Sequence, residues 1–461
     1  MSDFQLIVIG AGPGGYTAAL HAAKRGLKTA CVEYREAGGT CLNRGCVPTK
    51  ALLHASQVYK EAQNAAAIGV TVDGVGVDLP AMFAHKNQIT GKLSAGIEGL
   101  FKSAKVTYLR GRGSIPKEGV VAVTAADGTV TEYTADNILI ATGSVPSMPP
   151  IKGLDLPGVL TSDEILEGAE KLYDSIVIIG GGVIGGEFAT FYSDLGVKVT
   201  VVEALDRMLP TLDKDLGTGL AMALKKQGVS VFTGAMVKEI APAEGGLTVN
   251  FETAKGPGSA FGEVVLCAIG RKPYFDGLFT GEVKAEAGKG ITVNEKFATS
   301  IPGIYAIGDV SSKIQLAHVA AAQGTACVDW ICDKENHMDL NLVPSCIYCR
   351  PEIAGVGMND AQAKEAGIEV KVGKCVMGAN ARTMIEDPGR SFMKIIARAD
   401  DHKLIGASFM CSRATDMISE IAQAIANGLT AEDLLAAMRP HPTFEEAMGE
   451  ALEDLVDKLN K

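Results

Sequence analysis

The chain has 461 residues, which is too long for a single hydrophobic core. Its length therefore predicts about three domains. Its net charge is −11 without any block of lysines and arginines, which argues against nucleic acid or an anionic membrane as a partner. Its 54 glycines and 47% hydrophobic residues suit an α/β protein. No apolar run reaches the roughly 18 residues of a membrane span, and no signal segment fits before Phe4. We therefore expect a cytoplasmic protein.

The first 33 residues contain the pattern of a dinucleotide-binding unit. A buried strand over 4–9 leads into a glycine-rich loop, a helix over 16–25 and a second strand over 27–32. The loop contains Gly10, Gly12, Gly14 and Gly15, and Glu33 ends the second strand. Such glycines let the backbone approach a pyrophosphate at the helix N-terminus, and the acid binds a ribose hydroxyl. The competing interpretation, a merely tight strand–helix turn, leaves the acid unexplained.

Two cysteines, Cys41 and Cys46, follow this unit between glycines and a proline. A regular helix rises about 7.5 Å over five residues, whereas the Cα atoms of a disulfide lie within roughly 7 Å. Gly45 and Pro48 permit an irregular backbone, so the pair can close into a small disulfide ring that opens and closes in turnover. Two unrelated buried thiols are the alternative.

The elements that follow are predicted to complete this domain. They are helices over 51–63 and 79–102, a strand over 106–113, a hairpin over 120–133 and a strand over 137–144. Prolines at 146, 149 and 150 then indicate an exit from the domain.

A second unit of the same pattern begins at residue 176. It consists of a strand over 176–179, the loop glycines Gly180, Gly182 and Gly185, a helix from Glu187 and a strand over 197–202 that ends at Glu203. Two such units imply two dinucleotides, a flavin that stays and a nicotinamide that comes and goes. A carboxylate at Glu203 accepts a hydrogen bond from the 2′-hydroxyl of NAD but repels the 2′-phosphate of NADP. The loop that follows offers only one cation for such a phosphate, Arg207. We therefore expect NAD.

The remainder of the chain has no third nucleotide pattern. A strand ends at Gly308–Asp309, and the N-terminus of a helix over 319–332 can stabilise an anionic reduced flavin. From residue 344 on, strands near 345–349, 368–377, 391–398 and 403–411 and helices near 414–427, 430–438 and 444–460 predict a sheet-plus-helix domain. Cys346 and Cys349 have the spacing of a redox or metal motif, but strand residues three apart face opposite sides. We therefore interpret this spacing as coincidental and expect no metal.

Four motifs in this order resemble the class I pyridine nucleotide-disulfide oxidoreductases, a flavin-dependent family. They are the cysteine segment 38–50, the strand end Ala141–Thr142–Gly143, the pair Gly308–Asp309 and the closing segment 439–446. The resemblance covers essentially the whole chain and implies two Rossmann-like dinucleotide-binding domains, for non-covalent FAD and for NAD, plus a C-terminal α+β dimerisation domain. The implied bounds are 1–149 and 274–343 for the FAD domain, 150–273 for the NAD domain and 344–461 for the dimerisation domain.

The resemblance also implies roles for individual residues. Cys41 is expected to exchange with the substrate and Cys46 to face the flavin, an order that spacing alone does not give. His441 is expected to act as a base oriented by Glu446, although 443–446 also has the pattern of a helix capping box. Lys50 and Glu187 are expected to pair beside the flavin. The further implied cofactor contacts are Gly10, Gly12, Gly14, Gly15, Glu33, Gly39, Thr40, Gly113, Thr142, Gly143, Ser144, Asp309 and Ala317 for FAD, and Gly180, Gly182, Gly185, Glu203, Val237 and Gly270 for NAD.

Among the activities of this family, the resemblance implies oxidation of protein-bound dihydrolipoamide with reduction of NAD. Glu203 argues against the NADPH-dependent glutathione-type reductases, and the absence of cysteines over 450–461 argues against mercuric reductases. These reductases and a non-enzymatic flavin-binding scaffold are the alternatives. The expected partners are a second copy of the chain and the lipoyl-carrying protein of a 2-oxo acid dehydrogenase or glycine cleavage complex. An apolar stripe on the last helix, from Phe444 to Leu459, is expected to be covered by the second copy.

Overall fold

The computed structural model describes residues 2–386 and 389–461. The first part of the chain forms a sheet from the predicted apolar strands. Its elements are β1 (Phe4–Ile9), α1 (Pro13–Lys24), β2 (Thr29–Glu33), α2 (Gly39–Arg44), α3 (Cys46–Asn64), α4 (Leu79–Ser103), β3 (Thr107–Arg110), β4 (Arg112–Lys117), β5 (Val120–Thr124), β6 (Val130–Ile140) and β7 (Ser144–Pro146). In this first sheet β3, β2, β1 and β6 are parallel neighbours, and β5 and β4 extend it antiparallel.

The cysteine segment forms two helices that only Gly45 separates. The predicted helix over 51–63 begins earlier, at Cys46, so Lys50 lies in its second turn instead of at its start. Pro48 does not prevent this, because the backbone N–H that proline lacks has no partner in the first turn of a helix. The break therefore lies at Gly45, as its permissive backbone predicts, and not at the proline.

The middle of the chain forms a second sheet. Its elements are β8 (Val159–Leu160), α5 (Ser162–Glu167), β9 (Ser175–Ile179), α6 (Val183–Asp194), β10 (Lys198–Val202), α7 (Lys214–Lys226), β11 (Ser230–Phe232), β12 (Met236–Ala243), β13 (Gly246–Thr253), β14 (Gly256–Gly262), β15 (Val264–Cys267) and β16 (Arg271–Pro273). The second sheet is parallel throughout, in the order β11-β10-β9-β15-β8, and β12 to β14 form a separate antiparallel sheet. β16 pairs with β7, so these two short strands connect the first and second sheets.

The chain then returns to the first sheet before it forms a third. β17 (Ile304–Ala306) pairs with β6, and α8 (Ala317–Ile331) packs against α1. The C-terminal elements are β18 (Ser345–Ile347), β19 (Glu352–Gly357), α9 (Asp360–Glu365), β20 (Val370–Val376), α10 (Ala381–Glu386), β21 (Phe392–Arg398), β22 (Leu404–Cys411), α11 (Ala414–Ala426), α12 (Ala431–Leu435) and α13 (Glu446–Leu459). This C-terminal sheet is antiparallel, in the order β18-β19-β22-β21-β20.

The apolar stripe of the last helix is covered by its own chain, so the expectation that a second copy covers it is wrong. Phe444, Ala447, Ala451 and Leu455 are each at most 4% exposed in the single chain. Helix α13 lies directly on β20, where a Cβ at Gly373 would lie 2.0 Å from the carbonyl oxygen of Ala451. The stripe belongs to the core of the C-terminal sheet and says nothing about a dimer.

A buried cluster of charges joins the C-terminal sheet to the second sheet. Lys394 on β21 is 3% exposed, and its Nζ donates to Asp213 Oδ2 at 2.6 Å and to Asp360 Oδ1 at 3.1 Å. Its cross-strand neighbour Lys374 donates to Asp215 at 2.8 Å. Because Asp213 and Asp215 stand at the start of α7, the two lysines hold the second sheet against the C-terminal one.

Candidate active site

A single cavity of about 1470 Å³ extends along both glycine-rich loops. Small-molecule sites usually measure roughly 300–1,000 Å³, so this cavity is large enough for more than one such ligand. Most of the predicted cofactor residues line it. Gly15 and Gly185 are the two that do not, and the reason is the same for both. A Cβ at Gly15 would lie 1.8 Å from the carbonyl oxygen of Gly10, and one at Gly185 would lie 1.9 Å from that of Gly180. These two glycines close the turn between strand and helix instead of facing the cavity.

The two acids at the strand ends are held in the same way. Glu33 accepts hydrogen bonds from the backbone amide of Ala11 and from the amide two residues after itself, both at 2.9 Å. Glu203 accepts from the amide of Gly181 at 2.5 Å and from the amide two residues after itself at 2.7 Å. Both acids are 7% exposed and line the cavity. Each carboxylate thus lies beside the loop where a dinucleotide would place its ribose.

The backbone of the first loop is open to close approach by a ligand. Gly12 and Gly39 lie so close together that a Cβ at Gly39 would come within 2.5 Å of the Cα of Gly12. Gly12 precedes the N-terminus of α1, where free amides and the helix dipole favour a phosphate. Together with Glu33, these features fit a dinucleotide, and the second loop repeats them with Gly182, α6 and Glu203.

Cys41 and Cys46 are brought together by the turn at Gly45. A Cβ at Gly45 would lie 3.0 Å from the carbonyl oxygen of Thr40 and 3.3 Å from the Cα of Cys41, so any other side chain would crowd the chain where it folds back. Both cysteines line the cavity and both are free thiols. The structure therefore corresponds to the reduced pair, and the disulfide between them stays a prediction.

The two thiols have opposite proton affinities. The hydrogen bond that Cys41 donates lowers the pKa of Cys46 to about 7, against the effect of burial and with the help of the Lys50 ammonium. The same hydrogen bond raises the pKa of Cys41, and burial raises it further. Near neutral pH the negative charge of the reduced pair therefore resides on Cys46, with Cys41 as its donor.

The predicted pair of Lys50 and Glu187 is present and joins α3 to α6. Nζ of Lys50 donates to both carboxylate oxygens of Glu187 at 2.8 Å. The backbone amide of Tyr348 donates to the same carboxylate at 3.1 Å, and the Lys50 ammonium lies 4.7 Å from the centre of the Tyr348 ring. Burial alone would lower the pKa of Lys50, but the charge and hydrogen bond of Glu187, together with Cys46 and Tyr348, outweigh it and the pKa is raised. Lys50 therefore stays cationic beside Cys46.

The carboxylate of Asp309 lies on the first-sheet side of the cavity. Ser144 donates to it at 2.6 Å, and burial raises the pKa of Asp309. Thr142 donates to the carbonyl of Tyr274 at 2.5 Å, and the amide of Tyr274 donates to the carbonyl of Gly143 at 2.9 Å. These bonds fix the strand end at 142–144 to the returning chain.

His441 and Glu446 form a pair that lies outside this cavity. Nδ1 of His441 is 2.8 Å from Glu446 Oε1, and the amide of Thr443 donates to Glu446 Oε2 at 2.9 Å. The carboxylate thus contacts the imidazole and the amide of Thr443, but the capping box does not form. The helix begins at Glu446 with Glu445 as its N-cap, and the Thr443 hydroxyl donates to the carbonyl of Pro440. The His441 side chain is 73% exposed. The structure does not bring it to the cysteines of the same chain.

Three residues near the site were not predicted from the sequence. Tyr348 contacts both members of the Lys50–Glu187 pair, and Arg271 and Asp163 lie between the two sheets. No local pattern marks them, since each depends on contacts far along the chain. Cys346 and Cys349 pack in different cores, which agrees with the interpretation of their spacing as coincidental.

Two further observations bear on what the described residues can do. Within residues 2–386 and 389–461, no group of three or more histidine, cysteine, aspartate or glutamate side chains is placed to hold a metal ion. Over the same residues, no helix has the length and apolar character that crossing a membrane requires.

The chain is similar to known proteins over nearly its whole length. A family described as pyridine nucleotide-disulphide oxidoreductase matches residues 4–324, and the dimerisation domain of that family matches residues 343–452. A mitochondrial dihydrolipoyl dehydrogenase of Pisum sativum is 38% identical over 98% of this chain and 91% of its own length. A dihydrolipoyl dehydrogenase of Bacillus subtilis is 38% identical over 98% of this chain and 97% of its own, and a leghemoglobin reductase of Glycine max is 39% identical over 98% and 88%.

Solved structures give the same picture. LpdA from Mycobacterium tuberculosis superposes with a TM-score of 0.89 at 29% identity, over 97% of this chain and 99% of that one. RclA from Escherichia coli, a flavoprotein disulfide reductase induced by HOCl, superposes with a TM-score of 0.85 at 27% identity, over 98% and 99%.

The lowered pKa of Cys46 predicts a pH-dependent absorption band. In the reduced protein with its flavin bound, a Cys46 thiolate against the flavin should produce a long-wavelength charge-transfer band. The band should grow as the pH rises through about 7, because the thiolate forms over that range. Absorption spectra recorded between pH 5 and 9, a range of roughly two units about that value, measure it. Cys41→Ser should keep the band without reductant and Cys46→Ser should abolish it. A band in Cys46→Ser, or none in Cys41→Ser, would contradict the assignment.

Proposed function

This chain belongs to the pyridine nucleotide-disulphide oxidoreductase family and is an oxidoreductase, and we propose that it oxidises protein-bound dihydrolipoamide to lipoamide while reducing NAD to NADH. The observation that carries this proposal is the thiol pair with opposite proton affinities beside Lys50 and Glu187, in a cavity shared by two dinucleotide loops. Relatives that match nearly the whole chain carry the name dihydrolipoyl dehydrogenase, which supports the same substrate.

The family uses FAD and a pyridine nucleotide, and we assign one to each loop. Gly12, Glu33 and Asp309 would hold FAD, and Gly182 and Glu203 would hold NAD. FAD, when bound, accepts the electron pair of the reduced cysteines and passes it as hydride to NAD. The chain itself positions Cys41 and Cys46 and keeps Lys50 charged beside them. Through Glu203 it would also disfavour NADP.

The thiol chemistry follows from the two cysteines. With the pair oxidised, a substrate thiolate attacks Sγ of Cys41, the disulfide breaks, and Cys46 leaves as a thiolate. A thiol of lower pKa leaves faster, and a pKa of about 7 suits Cys46 to this role. The second substrate thiolate then attacks the substrate sulfur bound to Cys41, which releases the cyclic disulfide product and leaves Cys41 reduced.

His441 is proposed as the base that takes the protons of the substrate thiols. Glu446 would hold the tautomer of the imidazole and stabilise its charged form through the contact at 2.8 Å. Because His441 lies outside the cavity of its own chain and is 73% exposed, we propose that it serves the cavity of a second copy in a homodimer. The match of residues 343–452 to a dimerisation domain supports this arrangement.

The remaining assignments also stay proposals. The domain bounds 1–149, 150–273, 274–343 and 344–461 agree with the change of sheet along the chain. A lipoyl-carrying protein of a 2-oxo acid dehydrogenase or glycine cleavage complex is the proposed donor partner. A cytoplasmic location is proposed as well, although named relatives from plants are mitochondrial.

The proposed activity predicts a clear substrate preference. The purified protein should reduce NAD with dihydrolipoamide. Its kcat/KM for glutathione disulfide with NADPH should be at least about 100-fold lower, because Glu203 would repel the 2′-phosphate of NADPH. Each tenfold corresponds to about 1.4 kcal/mol of discrimination. Absorbance of the reduced nicotinamide measures both rates. Equal or reversed preference would overturn the proposed substrate, while a flavin-containing protein that reduces no disulfide would favour the scaffold alternative.

The position of Glu203 predicts the choice of nucleotide. Glu203→Ala combined with Leu205→Arg removes the repelling charge and adds a base next to it, so kcat/KM for NADP should rise about tenfold or more relative to NAD. Steady-state kinetics with both nucleotides measure the ratio. Glu252→Ala, an exposed acid on β13, is the control and should leave the ratio unchanged. A wild-type protein that already uses NADP as well as NAD would contradict the role of Glu203.

The shared site predicts complementation between inactive subunits. Cys41→Ser and His441→Ala homodimers should both lack dihydrolipoamide activity. Heterodimers should regain one intact site, because one chain supplies Cys41 and the other supplies His441. Subunits with different affinity tags can be exchanged, purified as heterodimers and assayed. No recovered activity in verified heterodimers would mean that each chain builds its own site.

A further inference from the structure

The two short strands that connect the first and second sheets carry an arginine in a constrained position. β7 and β16 pair antiparallel, with Ser144 opposite Pro273 and Pro146 opposite Arg271. The chain leaves the first sheet through β7 and comes back to it after β16. The Arg271 side chain is 14% exposed and borders the cavity at this crossing.

Arg271 uses two of its nitrogens on one residue. Its Nε donates to Ser144 Oγ at 2.8 Å, and its Nη2 donates to the carbonyl oxygen of Ser144 at 2.8 Å. The planar fork of a guanidinium can make both bonds at once, whereas a lysine ammonium is a single point charge on a flexible stem. The guanidinium therefore fixes both the backbone and the hydroxyl of Ser144.

The direction of the Ser144 hydroxyl follows from this contact. A guanidinium only donates, so Ser144 Oγ must accept from it and cannot direct its own proton there. The remaining close partner of that oxygen is Asp309 Oδ2 at 2.6 Å, which accepts the Ser144 proton. Arg271 thus makes no hydrogen bond to Asp309. It acts on the carboxylate through this hydroxyl and, at longer range, through its charge, which opposes the effect of burial on the pKa of Asp309.

The other face of the guanidinium meets an acid of the second-sheet side. Nη1 of Arg271 lies 3.7 Å from Oδ1 of Asp163, at the start of α5. This oxygen is buried and has no hydrogen-bond partner among the described residues. Arg271 is therefore held by charge from α5 and by hydrogen bonds from β7, between the two sheets.

We propose that Arg271 is a positioning residue for the flavin, which it holds by fixing the Ser144 hydroxyl on Asp309 at the crossing between the two sheets. The inference rests on the FAD site proposed above, since Asp309 is its contact with the cofactor. It adds a contact chain from Asp163 through Arg271 and Ser144 to Asp309 that links the nicotinamide side of the molecule to the flavin side.

The test is a double-mutant cycle on FAD affinity. Apoprotein is titrated with FAD, and the quenching of flavin fluorescence gives the Kd. Arg271→Met and Ser144→Ala should each weaken FAD binding about tenfold, the usual effect of losing a hydrogen bond to a charged group. Because the hydrogen bonds of both residues act through the same bond to Asp309, the double variant should lose about as much as Arg271→Met alone and not the product of about 100-fold. If Arg271→Met fails to fold, Arg271→Lys takes its place. It keeps the charge but not the planar fork, so it should show the same loss, and wild-type affinity in Arg271→Lys would overturn the inference.

Lys86→Met is the matched control, since it loosens α5 without touching the connecting strands. Lys86 is 3% exposed and donates to the carbonyl of Leu166 at 2.5 Å, near the opposite end of α5 from Asp163. This variant should keep the FAD Kd within twofold and the visible circular dichroism of the flavin unchanged, whereas Arg271→Met and Ser144→Ala should alter that spectrum in the same way.

Three outcomes would overturn the inference: a Kd within twofold of wild type for Arg271→Met or Ser144→Ala, multiplicative losses in the double variant, or an equal loss in Lys86→Met. The measurement needs no substrate. A failure of dihydrolipoamide oxidation would therefore contradict the proposed function and leave this result intact.

Discussion

The ion pair of Lys50 and Glu187 is the contact on which the arrangement of the site depends. It joins α3, which begins with Cys46, to α6, which begins at the second glycine loop. Glu187 is 3% exposed, and a buried carboxylate is costly unless its charge is balanced and its oxygens are hydrogen-bonded. Lys50 and the amide of Tyr348 meet both needs. The hydrogen bond from Cys41 is the main cause of the lowered pKa of Cys46; the Lys50 ammonium adds to it and the charge of Glu187 opposes it. One contact therefore joins the two helices and places a cation beside the thiol.

Features that depend on neighbours in sequence could be predicted, and the two dinucleotide units are the clearest case. Glycine spacing and the acid at the strand end are local constraints, and Glu33 and Glu203 indeed lie beside their own loops. The break in the cysteine segment was predicted as well, but the start of α3 was not. A proline is compatible with the first turn of a helix, so Pro48 did not mark a boundary.

Features that depend on distant contacts could not be predicted. Arg271 lies 127 residues from Ser144 in the chain, and nothing near it in sequence indicates the hydroxyl that it fixes. The stripe on α13 was correctly seen as apolar, but periodicity gives the buried face of a helix and not what covers it. Glu446 shows a third limit. Two local patterns predicted two roles for one carboxylate; it contacts His441 and the amide of Thr443, but the capping box over 443–446 does not form because the helix begins only at Glu446.

The hydrogen bonds of Glu203 also bear on its proposed preference for a bare ribose hydroxyl, because they add a geometric constraint to its charge. Each of its two carboxylate oxygens accepts a hydrogen bond from a backbone amide. One amide lies in the glycine loop and the other in the turn that follows β10. A free surface carboxylate could rotate away from a 2′-phosphate, but this one would have to give up a buried hydrogen bond to do so. The nearby Arg207 offers no compensation, because it donates to Asp206 and to the carbonyl of Pro210. The proposed repulsion of a 2′-phosphate therefore follows from the backbone of the loop, which fixes where the carboxylate lies.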